Sequence, residues 1–211
     1  MQAVRTILVS LVIVGAAIGG FVWSGVYDVG ADAPHTRPVF RLLELTRDRS
    51  VDARAAGIAV PDLEDAERLR HGAGNYAAMC ETCHLRPGLD SSELHRGLYP
   101  QPPELAAHNR DEPAHDFWVI KHGLKATGMP AWGKSMDDES IWGMVAFIQK
   151  LPSLSPAAYH TAVETSGGHS HGGPEDDADD HDHDHDEAHD HDNGNDHDKG
   201  HDDDHEHEHE H

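Results

Sequence analysis

Apolar residues fall into three regimes along the 211-residue chain. Over residues 6–27 they are nearly continuous, 22 positions rich in Ile, Val, Leu, Gly and Ala with no formal charge. At ~1.5 Å per helical residue this run spans roughly 33 Å, the thickness of a bilayer's hydrocarbon core. Over residues 38–162 apolar positions recur every three or four residues between Gly- and Pro-rich connections, a helical period. From Gly167 onward almost nothing is apolar, and Asp alternates with His.

The middle regime resolves into a series of expected helices. Pro38 opens one through Val39, Phe40, Leu42, Leu43 and Leu45. Ser50 caps a second short helix that stops at Gly57. Asp62 or Asp65 starts an amphipathic helix through Leu69, His71, Tyr76 and Met79, ending near Cys80. Connections follow over residues 87–103, then a helix over 112–122 whose buried stripe is Phe117 to Ile120. A further loop covers 123–134, a strong helix 138–150, and Ser155 caps a short helix containing Tyr159. No stretch sustains a period of two, so the fold class is all-α. The pattern divides the chain into an N-terminal apolar segment (1–27), a helical linker (28–61), a compact domain (62–166) and a tail (167–211).

Charge sharpens the division. Lys and Arg number 16 against 39 Asp and Glu, a formal net charge of −23. Residues 167–211 hold 19 of those acids, one Lys and 13 of the 21 histidines, which leaves the rest only mildly acidic. No basic surface remains to displace counterions from phosphates, which excludes nucleic acid as a partner. The tail cannot bury enough surface to offset its ordering entropy and is expected to be disordered. Its neutral imidazoles and carboxylates are N and O donors suited to Zn, Cu or Ni. The candidate ligands are His181, His183, His185, His189, His191, His205, His207, His209 and His211.

Arg5 precedes the apolar run, whereas Asp28 and Asp32 follow it. The positive-inside rule then keeps the N-terminus cytoplasmic and places the remainder on the far side, the periplasm, as a single-pass inner-membrane protein. Trp23 and Tyr27 fall where interfacial aromatics prefer to lie. The alternative is a cleaved signal, for which Ala31-Asp32-Ala33 offers a small-x-small site, releasing a soluble periplasmic protein. The apolar run exceeds the usual h-region of about 7–15 residues, which favours the uncleaved anchor. The five arginines of the linker (37, 41, 47, 49, 54) are read first as a solvated face and second as contacts to anionic head groups.

The two cysteines sit three residues apart, so no disulfide framework is available. Cys80-Glu81-Thr82-Cys83-His84 has the spacing C-x-x-C-H. Two thiols placed this way add to the two vinyl groups of one haem, forming thioethers, while the adjacent imidazole reaches the iron. A redox disulfide normally opens a helix after a strand, and a structural zinc site needs two further close ligands. Neither context is present in the sequence. The expected cofactor is therefore one covalent haem c.

With these residues the sequence resembles the class I c-type cytochromes, in the membrane-anchored monohaem form of bacterial envelopes. The resemblance covers residues 65–152 and rests on three blocks: Gly72-x-x-x-Tyr76-x-x-x-Cys80-x-x-Cys83-His84, Gly128-Met129-Pro130-Ala131-Trp132-Gly133, and Ile141-Trp142-x-x-Val145-Ala146-Phe147-Ile148 before Leu151-Pro152. It implies a small cytochrome c-like helical haem domain in which the first helix crosses the last closely. It also implies that Tyr99-Pro100-Gln101-Pro102-Pro103 supplies a carbonyl, from Pro102 or Pro103, to orient the ring of His84, the expected proximal ligand. Of the downstream methionines, Met144 lies mid-helix as core filler and Met136 opens a polar helix start facing water. Met129, between Gly128 and Pro130, is the expected distal ligand, with His122 as its rival.

The resulting expectation is an electron carrier, not an enzyme, which passes single electrons between a donor and an acceptor such as a dehydrogenase and a terminal oxidase. A metal-handling protein whose haem reports redox state is the alternative. A gas sensor or peroxidase is a third class and requires an open sixth site.

Overall fold

A computed structural model describes residues 1–171. The regular elements among them are helical, with no strand among the described residues. Helix α1 (Gln2–Trp23) is long and apolar enough to cross a membrane, and none of it is buried against the rest of the protein. It stops before the end of the apolar run because Gly25 turns the chain at φ +62°.

Helix α2 (Arg37–Ala55) corrects the expectation of two short helices. Thr46, Arg47, Asp48 and Arg49 contain no breaker, so the helix continues through Ser50, whose hydroxyl accepts from Arg54 at 2.7 Å instead of capping. Its C-terminal half buries Val51 and Ala55, and α2 packs on α6 (Pro113–His122).

Between them come α3 (Ala66–Met79), capped by Asp65, whose carboxylate accepts from the Arg68 amide at 2.9 Å, and the single turn α4 (Glu81–His84). Helix α5 (Glu93–Gly97) lies where only a connection was expected; Ser92 caps it by accepting from the His95 amide at 2.9 Å. Beyond α6 follow α7 (Asp138–Lys150), capped by Asp137, and α8 (Pro156–Glu164), capped by Ser155. Both agree with the sequence pattern.

The core forms where α3 crosses α7. A Cβ on Gly72 would lie 1.9 Å from the Gly143 carbonyl oxygen, so the two backbones touch and only glycine fits. Around this crossing Tyr76 packs on Phe147 at 5.7 Å and on Tyr159 of α8 at 6.3 Å between ring centroids. Trp142, on α7, instead stacks on Phe117 of α6 at 4.1 Å. Residues 166–171 also pack against α3: the Ser170 amide donates to Asn75 Oδ1 at 2.8 Å, Arg70 donates to the Ser166 carbonyl at 2.6 Å, and a Cβ on Gly74 would meet the Gly168 carbonyl at 2.0 Å. The tail histidines from His181 to His211 and the expected disorder there lie outside the described residues.

Candidate functional site

The Cys80–His84 motif is held by its main chain. Cys80 ends α3 and starts α4, its amide bonding the Tyr76 carbonyl at 2.9 Å and its carbonyl accepting from the His84 amide at 2.8 Å. Leu85 then reverses the chain at φ +63°, a left-handed conformation strained for a branched side chain, yet its side chain is buried. Every carbonyl from Cys80 to Leu85 has a donor. The Leu85 amide bonds Glu81, Ser92 Oγ bonds Thr82, His95 Nδ1 bonds Cys83 at 2.9 Å, the Leu105 amide bonds His84 at 3.2 Å, and Tyr76 Oη bonds Leu85 at 2.6 Å. A segment with all its acceptors satisfied has one low-energy path, so the thiols and imidazole are positioned before any ligand arrives.

Cys80, Cys83, His84 and Met129 line one cavity, whose walls are mainly apolar, including Leu98, Leu105, Ile120, Leu124 and Ile148. His84 Nδ1 lies 2.9 Å from the Pro103 carbonyl, which decides between the two candidate prolines. A carbonyl only accepts, so Nδ1 carries the proton and Nε2 keeps a lone pair. Burial holds this imidazole below the usual histidine range, opposed by the Pro103 bond, and so favours the neutral form that ligates iron. Both cysteines are free thiols; burial raises Cys83 and pushes Cys80 up to about 12.

Met129 is carried by a loop closed on itself. Its amide bonds Thr127 Oγ1 at 3.1 Å, Thr127 Oγ1 donates to the Leu124 carbonyl at 2.8 Å, and the Leu124 amide returns to the Met129 carbonyl at 3.3 Å. Gly128 lets the loop press on Leu98, which a Cβ would approach to 2.6 Å. The other candidates fall elsewhere. Met144 is fully buried in α7, as expected of core filler, and His122 is exposed, with its ring 4.9 Å from that of Trp118. Met136 is buried, not facing water: the turn Trp132–Lys134 folds it into the core while Asp137 and Asp138 stay outside. Met79, the residue before Cys80, also reaches the cavity wall.

Several residues of the cavity and its support carry no signal in the sequence. The Asp116 carboxylate, buried in α6, accepts from Arg110 Nε at 2.8 Å and from Gln149 Nε2 at 3.2 Å, which holds the Arg110 guanidinium above its usual range. Arg47 of α2 lines the cavity as well. None of these belongs to a motif: Arg47 reaches the cavity through the packing of α2 on α6, and Asp116 through the packing of α6 on α7. Among the described residues no three His, Cys, Asp or Glu side chains gather into a further metal site.

Two free thiols, a neutral imidazole of fixed tautomer and a thioether, all facing one apolar cavity, fit a haem. Residues 67–148 match the family model described as cytochrome c oxidase, cbb3-type, subunit III. No curated protein and no solved structure matches the chain. The matched stretch starts in α3 and ends in α7, so α1, α2 and α8 lie outside it.

Proposed function

We propose that residues 67–148, which match that family model, form a class I c-type cytochrome domain, and that the chain is a membrane-anchored electron carrier with one covalent haem c. The domain is a haem-binding, electron-transferring module. In our reading Cys80 and Cys83 would hold the haem through thioethers, and His84 through Nε2 and Met129 through Sδ would hold its iron. The bound group supplies a ferric/ferrous couple. The chain's own residues keep that couple fast: the Pro103 carbonyl holds the His84 ring, the 124–129 loop holds Met129, and the apolar wall excludes water. Rigid ligands and a dry pocket would keep reorganisation small. The observation that carries the reading is the convergence of Cys80, Cys83, His84 and Met129 on one cavity.

Helix α1, which contains Arg5 near its start and is followed by Asp28 and Asp32, supports an anchor that puts the domain on the periplasmic side, facing redox partners such as a dehydrogenase and a terminal oxidase. The His/Asp tail supports divalent-metal binding as an added property.

The test is the membrane fraction of cells competent in haem maturation. Denatured protein should keep its colour and carry the mass of one haem over the polypeptide. Colourless protein with the bare polypeptide mass would falsify the proposal.

A further inference from the structure

The family match begins at residue 67, yet part of the cavity wall comes from upstream of it: Arg47, in the middle of α2. Helix α2 is held there at two places. Its C-terminal half buries Val51 and Ala55, with Asp52 3.3 Å from His115 Nε2 and Arg54 lying 5.9 Å from the Trp118 ring. Both contacts are on α6, the helix that also brings Asp116, Val119 and Ile120 to the cavity. Ahead of α2, the His35 amide donates to the Tyr99 hydroxyl at 3.0 Å, and the two rings meet edge-on at 5.3 Å. Tyr99 adjoins the Pro100–Pro103 wall of the same cavity. Arg47 is therefore a fixture of the site, not a residue on a swinging linker.

Charge narrows what Arg47 is for. The cationic lining residues of the cavity, His aside, are Arg47 and Arg110, and the anionic one is Asp116. Arg110 is committed, with both Nε and Nη2 on the buried Asp116 carboxylate, so that pair is close to neutral as a unit. A haem brings two propionate carboxylates, which need counter-charge or water beside an apolar wall. The ion-pair partners of Arg47 are the exposed Asp48 at 2.7 Å and the partly exposed Glu44 at 4.0 Å. With Arg47 and Asp48 side chains 42% and 52% exposed, that pairing is easily exchanged. Its planar guanidinium matches a carboxylate in bidentate fashion.

We propose that Arg47 is the propionate-binding residue of the haem site, so that α2 is part of the redox centre instead of a spacer between anchor and domain. The proposal rests on the haem reading above. A fixed cation beside the porphyrin favours the ferrous state, which carries one positive charge fewer, and so raises the reduction potential. In return, the bound carboxylate holds α2 on the domain.

The experiment is a spectroscopic redox titration of the full-length holoprotein and its R47Q, R47E, R47K and R41Q variants. Arg41 lies on the same helix but is 80% exposed and lines no part of the cavity, so R41Q removes the same charge elsewhere. The expected midpoint potential falls in R47Q, falls further in R47E, lies between R47Q and the parent in R47K, and is unchanged in R41Q. Amide exchange in α2, but not in α7, should quicken in R47Q. Equal shifts in R47Q and R41Q, or none in R47Q, overturn the assignment. A parent chain that binds no haem overturns the reading beneath it instead.

Discussion

Tyr76 illustrates how single atoms hold the attachment motif. Its hydroxyl supplies the donor for the Leu85 carbonyl at 2.6 Å, next to a left-handed backbone that would otherwise relax. Tyr76→Phe leaves that carbonyl without its partner in a buried place, which costs about 1–3 kcal/mol. A urea denaturation curve checks this, and an unchanged midpoint would show that the turn holds itself. At the proposed sixth ligand, Met129→Ala should retain covalent haem but lose the sulfur–iron charge-transfer band, and its potential should drop because a thioether favours ferrous iron. Met79→Ala, removing the other thioether on the wall, should keep the band. The reverse result would move the ligand to Met79. Three of the four residues proposed to hold the haem are named by the CxxCH spacing alone, since thioether chemistry would set that spacing. Asp116 and Arg110 are not legible in the same way, because an Asp and an Arg six residues apart look like any surface pair until one of them is buried.

At the level of elements, the crossing of α3 and α7 sets the size of the site. Gly72→Ala puts a methyl carbon 1.9 Å from the Gly143 carbonyl oxygen, and backbone cannot step aside as a side chain can. The helices must separate, at about 3 kcal/mol or more, the upper end of overpacking costs. A thermal melt of the holoprotein should show the loss; a near-normal melt would mean the crossing is softer than its geometry. Helix α6 is tied to the Arg110 loop and to α7 by Asp116. Removing one partner of a buried ion pair costs about 3–5 kcal/mol, and the low end applies because the Arg110 side chain is 36% exposed. Arg110→Gln should therefore destabilise more than Asp116→Asn, which removes the charge along with the need for it. Helix α2 reads as two pieces in the sequence because Ser50 is a strong capping residue in isolation. Burial of Val51 and Ala55 rewards continuation, and no local signal reports that.

Across the whole molecule, the boundary between domain and tail is a packing question. The amide of Ser170 and the carbonyl of Gly168 lie against Asn75 and Gly74 of α3, so residues 166–171 contribute to the domain. Ending the chain after His171 should leave the melting temperature and visible spectrum unchanged. Ending it after Ser166 should lower stability by about 1 kcal/mol, one net hydrogen bond plus contact area. Equal melting temperatures for the two truncations would deny the contact any worth. Metal affinity of the full chain, measured with Zn, Cu or Ni by calorimetry, should be largely lost in both truncations. It should also weaken as the pH falls through about 6.5, where imidazoles take up protons and stop ligating.

Residue order alone determined what depends on neighbours along the chain: the apolar helix, the approximate starts of α3 and α7, the Ser155 cap of α8, the spacing of two thiols and an imidazole, and the segregation of charge. Each is settled within a few turns of backbone, where one residue limits the next. Only tertiary structure decided that Pro103 supplies the carbonyl for His84, that Met136 turns inward, that α2 is unbroken and that Arg47 reaches the cavity. These outcomes depend on which surfaces meet after the chain has folded back, and burial there overrides local preference because the area it removes from water outweighs the few tenths of a kcal/mol that propensity contributes.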